Sequence, residues 1–206
     1  SNSEKSSGIE WLYVSYHPND NFQVKVGRNK TPFFIFSDVK NVGFAYHWAT
    51  PPQQVYSSYM FDFFDGVFAR YDIPNKMLNL NIEGYWGSYE GEYSGSYNSD
   101  SDEVTVDVND LRGLIFNANY ERLSVRASLH HGDGNVEVGG LSEFIAVLKQ
   151  TGFNNMAKQL SLKGGFNFYQ FSVAYEHLDY FVRTEFTRAE PKLFVVPEIN
   201  ARYLSV

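Results

Sequence analysis

Few side chains in this 206-residue chain have types and spacings suited to covalent chemistry. There is no cysteine, which excludes disulfides, thiol catalysis and Cys-based zinc sites, and five histidines leave little for a His-rich metal centre. His130 and His131 are adjacent, so on a strand they point to opposite faces and cannot share an ion. Glu83 and Glu176 would suit a glycosidase if their carboxyl groups stood ~5 Å or ~6.5–9.5 Å apart, a spacing the sequence does not provide. The run 98–110 carries Asp100, Asp102, Glu103, Asp107 and Asp110. Hard oxygens at alternate spacing suit calcium, but the glycine and closing glutamate of an EF-hand loop are missing, and a solvated loop is the simpler reading. Asp133-Gly134-Asn135 reads as a turn, and Gly139-Gly140 and Gly164-Gly165 are weak phosphate-cradle signals. No Ser-His-Asp arrangement or Walker loop is visible. The expectation is therefore no enzyme, no cofactor and no metal.

Non-covalent chemistry is better represented. Lys25, Arg70, Asp72, Asn81, Glu83, Asn117, Asn119, Arg126, Lys163, Asn167 and Glu176 occupy polar positions of segments that alternate with apolar ones. Their mixed signs suit a water-filled passage crossed by a transverse field; a solvated outer sheet face would read the same way. Arg28, Arg70 and Arg126 would favour anionic solutes as a basic ladder, unless Asp72, Glu83 and Glu176 neutralise it. The whole chain carries 17 Lys+Arg against 24 Asp+Glu, a formal charge of −7. Its pI near 5.2 argues against a nucleic-acid partner. Aromatic residues make up 17% and charged residues only 20%. No apolar run reaches the ~18 residues of a membrane helix, but a membrane strand needs only ~9–11, with alternate positions facing lipid.

The elements that would position these residues are strands. Period-two alternation runs through 9–16, 22–26, 64–73, 77–86, 111–120, 123–131, 159–169 and 171–178, with a last segment at 199–206, about nine strands in all. Short reversals fall at 17–20, 73–76, 121–122 and 170. Long connections fall at 29–63, 87–110, 131–158 and 180–199. Short and long alternate, which gathers the long loops at one end of an antiparallel meander, as outer-membrane barrels do. One short helix is expected over 141–151, capped by Ser142 and ended by Gly152, inside a long loop. Residues 1–8 read as a disordered lead or a cloning remnant, leaving 9–206 as the folded segment.

In a soluble sheet the apolar stripe faces a core; in a membrane barrel it faces lipid and the polar stripe lines the lumen. Trp11, Tyr13, Phe68, Tyr71, Trp86, Tyr120, Phe166, Phe168, Phe171 and Tyr175 gather near strand ends, which suits an aromatic girdle. Backbone groups in lipid must all be paired, so such a sheet has to close. With about nine strands, closure calls for further strands from a longer parent chain. The fold class is thus all-β, an antiparallel meander of a transmembrane β-barrel. The alternative is a soluble all-β carbohydrate-binding module whose exposed aromatics stack on sugar.

One stretch carries a family signal. Gly27, Arg28 and Pro32, followed by Ser37, Asp38, Val42, Gly43, Ala45, Tyr46, Trp48, Pro51, Pro52, Val55 and Tyr56 and then Phe64-Asp65-Gly66, resembles Gram-negative outer-membrane porins of the gammaproteobacterial trimeric type. His47, where proline is the pattern, and Ala49-Thr50 depart from it. The resemblance covers about a quarter of the chain. It implies a parent of about sixteen strands and a homotrimer in the outer membrane of a Gram-negative bacterium, in contact with its lipid and lipopolysaccharide. It also implies passive transport of small hydrophilic solutes and ions through the channel. Residues 31–56 would be an inward constriction loop, with Phe33, Phe34, Phe36, Tyr46 and Trp48 anchoring it and Asp38, Lys40 and His47 presenting charge.

Overall fold

The computed structural model describes residues 3–4, 9, 11–37, 55, 61–94, 103–160, 162–192 and 198–206. A two-residue β1 (Ser3–Glu4) is followed by β2 (Leu12–Asn19), β3 (Phe22–Lys30), β4 (Phe63–Ile73), β5 (Asn79–Ser94), β6 (Glu103–Tyr120), β7 (Leu123–Val138), β8 (Lys163–Glu176), β9 (Phe181–Pro191) and β10 (Ile199–Ser205). Strands β2 to β10 form one antiparallel meander in which sequence neighbours are spatial neighbours, and the sheet does not close on itself. β1 pairs with Tyr93 and Ser94 at the end of β5, where the sequence suggests a disordered lead. Two helices, α1 (Gly139–Gln150) and α2 (Asn154–Leu160), stand between β7 and β8.

The count of nine meander strands agrees with the sequence reading, but two assignments change. Residues 159–169 and 171–178 are not two strands with a reversal at Gln170; β8 runs unbroken through a buried Gln170. The reversal lies at 177–180, closed by His177 N donating to Tyr180 O at 2.8 Å. The expected long loop 180–199 holds β9, whose inward Arg183, Glu185 and Thr187 are too polar to give an apolar stripe. Short turns at 20–21, 74–78, 121–122 and 177–180 still alternate with the longer connections. The stretch 87–110 is mostly strand. Its alternation is masked because one bulge on β6 shifts the register against both neighbours, opposite Gly87–Tyr89 of β5 and between Asn109 and Arg112 facing β7, with Asp110 at φ 49. The bulge switches parity, so Val108 and Leu111 both point inward and are buried. The helix begins at Gly139, with Val138 as its N-cap and no side-chain cap bond, so Ser142 lies inside it. It ends as expected at Gly152 (φ 85), with Phe153 N bonded to Leu148 O and Gly152 N to Lys149 O.

The two faces differ along the whole sheet. In register, Tyr71, Ile82, Phe116, Ala127, Phe171 and Phe186 form one outward row across six strands. Parallel rows contribute Leu114, Leu129 and Tyr169, and Tyr120, Leu123 and Tyr175. All of these but the half-buried Ala127 are exposed; Trp86, at 63%, is the most open large apolar side chain of β5. The opposite face carries the buried cluster of Phe33, Phe34, Phe36, Phe61, Phe64, Tyr85, Tyr89, Leu111, Ile115 and Phe168. Residues just past β3 reach β9 on this face, where Ile35 N donates to Glu185 Oε1 at 3.4 Å. β3 and β9 are six strands apart, about 29 Å on a flat sheet at ~4.8 Å per strand. The chain from Lys30 to Ile35 extends at most ~18 Å. The sheet is therefore curled, with this face inside.

The aromatic expectation needs correction on this point. Tyr71, Trp86, Tyr120, Phe171 and Tyr175 lie outward, but Trp11, Tyr13, Phe68, Phe166 and Phe168 lie on the inner face: Tyr13 pairs with Gly27, Lys25 with Phe68, and Phe168 with His130. Pairing decides the face, and apolar character alone does not.

Gly113 allows one long-range inner contact. Tyr85 on β5 and His130 on β7 hydrogen-bond at 2.8 Å across the intervening β6. A Cβ at 113 would sit 2.5 Å from His130 Nδ1 and overlap the Tyr85 ring. Gly113→Val should break this bond and lower stability by about 1–3 kcal/mol, measured as a shifted urea midpoint; an unchanged midpoint would contradict the packing described.

Candidate functional site

The inner face is dry near the long loops and polar towards the short turns. Residues 31–37 leave β3 and lie against it. Thr31 N and Oγ1 bond to Asp62 O and Phe61 O at 3.1 and 3.0 Å. Phe33 stands 4.8 Å edge-on to His130 and 5.2 Å from Phe168, and Phe34 stands 5.3 Å from Phe168. Polar groups hold the backbone as well. The Arg126 guanidinium donates to Pro32 O and Phe33 O and to Gln170 Oε1. Gln170 Nε2 donates to Glu185 Oε1 at 3.0 Å, and Glu185 in turn accepts Ile35 N. His130 Nε2 meets Ser128 Oγ at 2.8 Å. Arg183 lies 4.7 Å over the Phe36 ring and pairs with Glu176. The segment is thus clasped at β7, β8 and β9, with its buried backbone groups given partners.

Below the clasp the face opens. One hollow of about 410 Å³ is bounded by Pro32, Phe34, Ile35 and Ser37 and by the strand residues Arg70, Asn81, Glu83, Asn117, Asn119, Arg126, Ser172, Glu176 and Arg183. A second, of about 370 Å³, lies towards β2 and β3 and shares Pro32, Arg70 and Glu83. A third lies by the turn at 74–78 and shares Arg70, Asn81 and Asn119. The shared walls make one continuous polar groove. Charges along it are matched locally: Arg70 pairs with Asp72 at 2.8 Å and Glu83 at 3.4 Å, and Asn81 meets Asn117 at 2.7 Å.

Nine of the eleven polar residues singled out by the alternation therefore share this face: Lys25, Arg70, Asp72, Asn81, Glu83, Asn117, Asn119, Arg126 and Glu176. Lys163 and Asn167 do not. They sit at odd positions of β8, opposite Gln170 and Ser172, and Asn167 bonds to the outward His131 at 2.9 Å. Splitting β8 in two resets its parity, which puts these two on the wrong face. Arg28 is outward as well, paired with Asp65 at 2.8 Å, so no ladder of Arg28, Arg70 and Arg126 exists. Of the expected constriction-loop residues, Phe34 is buried; Asp38, Lys40, Tyr46, His47 and Trp48 lie outside the described residues. Glu83 and Glu176 both border the first hollow, but each is held by an arginine, unlike the apolar setting that keeps a general acid protonated.

Sequence reasoning misses Glu185, Arg183, Gln170 and His130. The first two fall in a stretch that reads as loop, Gln170 reads as a turn, and His130 reads as one more polar-face residue of the strand at 123–131, with no role of its own. Also missed is an outward trio, Asp110, His131 and Asp133, whose donor atoms lie within 4.8 Å of one another through the β6 bulge. Their chemistry would suit a divalent cation, but Asp110 already pairs with Arg112 at 3.1 Å and accepts Trp86 Nε1 at 3.0 Å.

Arg126→Met should leave two carbonyls beneath the segment without their cation and cost about 1–3 kcal/mol. Hydrogen exchange at the Ile35 amide should quicken, and exchange at wild-type rate would show that the clasp does not hold the segment. Compared with known proteins, the chain matches no family model, no curated protein and no solved structure.

Proposed function

We propose that this chain forms part of the wall of an outer-membrane porin that passes small hydrophilic solutes by diffusion, with no catalytic group, cofactor or energy source. The observation that carries the reading is the contrast between the two faces of a single curled sheet. Trp86, Leu114, Phe116, Leu129, Phe171 and Phe186 are each at least two-fifths exposed on the outside. Leaving six such side chains in water forfeits on the order of 10 kcal/mol, comparable to the net stability of a whole domain. Lipid removes that cost. The inner groove is polar, ion-paired and open to water, and a segment crossing the interior narrows it, as the resemblance at 27–66 also implies.

On this reading, strands beyond β2 and β10 complete the barrel, because lipid tolerates no unpaired sheet edge. The parent barrel would be a homotrimer in the outer membrane, bordered by lipid and lipopolysaccharide. Arg70, Asp72, Glu83, Arg126 and Glu176 would set the field along the passage, and Phe34 would anchor the constriction.

Two measurements test this. The complete parent barrel in planar bilayers should give stepwise conductance. Bromine-labelled lipids should quench Trp86, singled out by Trp11→Phe and Trp48→Phe. A monodisperse, detergent-free monomer with no conductance and an unquenched Trp86 would favour the soluble carbohydrate-binding module instead.

A further inference from the structure

We infer that the hollow beside β2 and β3 is a binding subsite for a sugar acid, a pyranose ring bearing one carboxylate; this rests on the porin reading and names a solute class for that passage. Trp11 and Tyr13 lie on the inner, polar side of β2, while Leu12, Val14 and Tyr16 take the outer side. Their rings are 5.9 Å apart and tilted by 36°. Trp11 is 58% exposed, and with Tyr13, Phe68 and Pro32 it forms the apolar part of a wall whose remainder, from Gln23 to Glu83, is polar or charged. In an aqueous groove such an indole leaves apolar surface in water with no packing return. A sugar supplies that return: the C–H face of a pyranose covers the ring, and its hydroxyls turn to the polar rim.

The charge next to the platform selects the anion. The Lys25 ammonium stands 4.7 Å above the Tyr13 ring and 5.3 Å above the Phe68 ring. Among the described residues it makes no ion pair, whereas Arg70 and Arg183 are matched to carboxylates. Ring faces fix an ammonium in place without cancelling its charge, which leaves it to meet an incoming carboxylate. Gln23 and Asn29 border the same hollow. Asn29 is buried, with its Nδ2 donating to Gly27 O at 2.9 Å and its Oδ1 without a hydrogen-bond partner among the described residues. At about 370 Å³ the space is near the lower end of ligand sites, the scale of a single sugar.

The test uses the full chain folded in detergent, with Trp48→Phe and Trp86→Phe leaving Trp11 as its single indole. Sodium glucuronate should quench it saturably, with glucose binding about fivefold more weakly and cyclohexanecarboxylate, which lacks hydroxyls, weaker still. Lys25→Gln should bring glucuronate down to the level of glucose. Trp11→Ala, followed by calorimetry, should lose both sugars. No saturable change up to about 100 mM glucuronate, an unchanged preference in Lys25→Gln, or equal binding of cyclohexanecarboxylate would overturn the assignment. Conductance of the complete parent barrel is read separately. Binding without conductance would leave the subsite standing and remove the channel; conductance without binding would do the reverse.

Discussion

Each strand residue must face one of two surroundings, and curling the sheet makes those surroundings unequal. The inside has less room and must satisfy every backbone group brought into it. Most of the features described above answer that demand. Phe33, Phe34 and Phe168 fill the space near the long loops. Gly113 leaves a gap through which Tyr85 and His130 can meet. Arg126 and Glu185 supply donor and acceptor to a segment that would otherwise bury bare peptide groups.

The polar groups in this interior are of two kinds. Glu185, Gln170, Ser128 and His130 are buried and joined end to end. In such a network each member depends on the others, because a partner removed leaves a desolvated group behind. Arg70, Asp72 and Glu83 are partly open to solvent. Pairs of that kind contribute little stability each, roughly 0–1 kcal/mol. Their consequence is positional: they hold charge of both signs at fixed places along a wet groove. Lys25 is the exception, steadied by rings and left unmatched by acid among the described residues.

Alternation alone makes the meander legible. Leu80, Ile82 and Trp86 against Asn81, Glu83 and Tyr85 declare a two-faced strand from residue order alone. The rhythm of short and long connections is also a property of the chain. The reading fails where parity breaks or where no stripe exists: at the β6 bulge, in the polar β9, and at Gln170, whose turn-like character masks a continuous β8. Lys163 and Asn167 fall on the wrong face for that last reason.

What the sequence determined by itself was the period, the existence of two unlike faces and the grouping of nine of the eleven polar positions on one of them. Those depend on neighbours one or two residues apart. Tertiary structure decided which stripe lies inside, because that follows from register and curl. It turned Trp11, Tyr13 and Phe68 inward and brought Ile35 to Glu185, 150 residues away. A contact between strands six apart has no local signature; only the curl of the sheet makes it short.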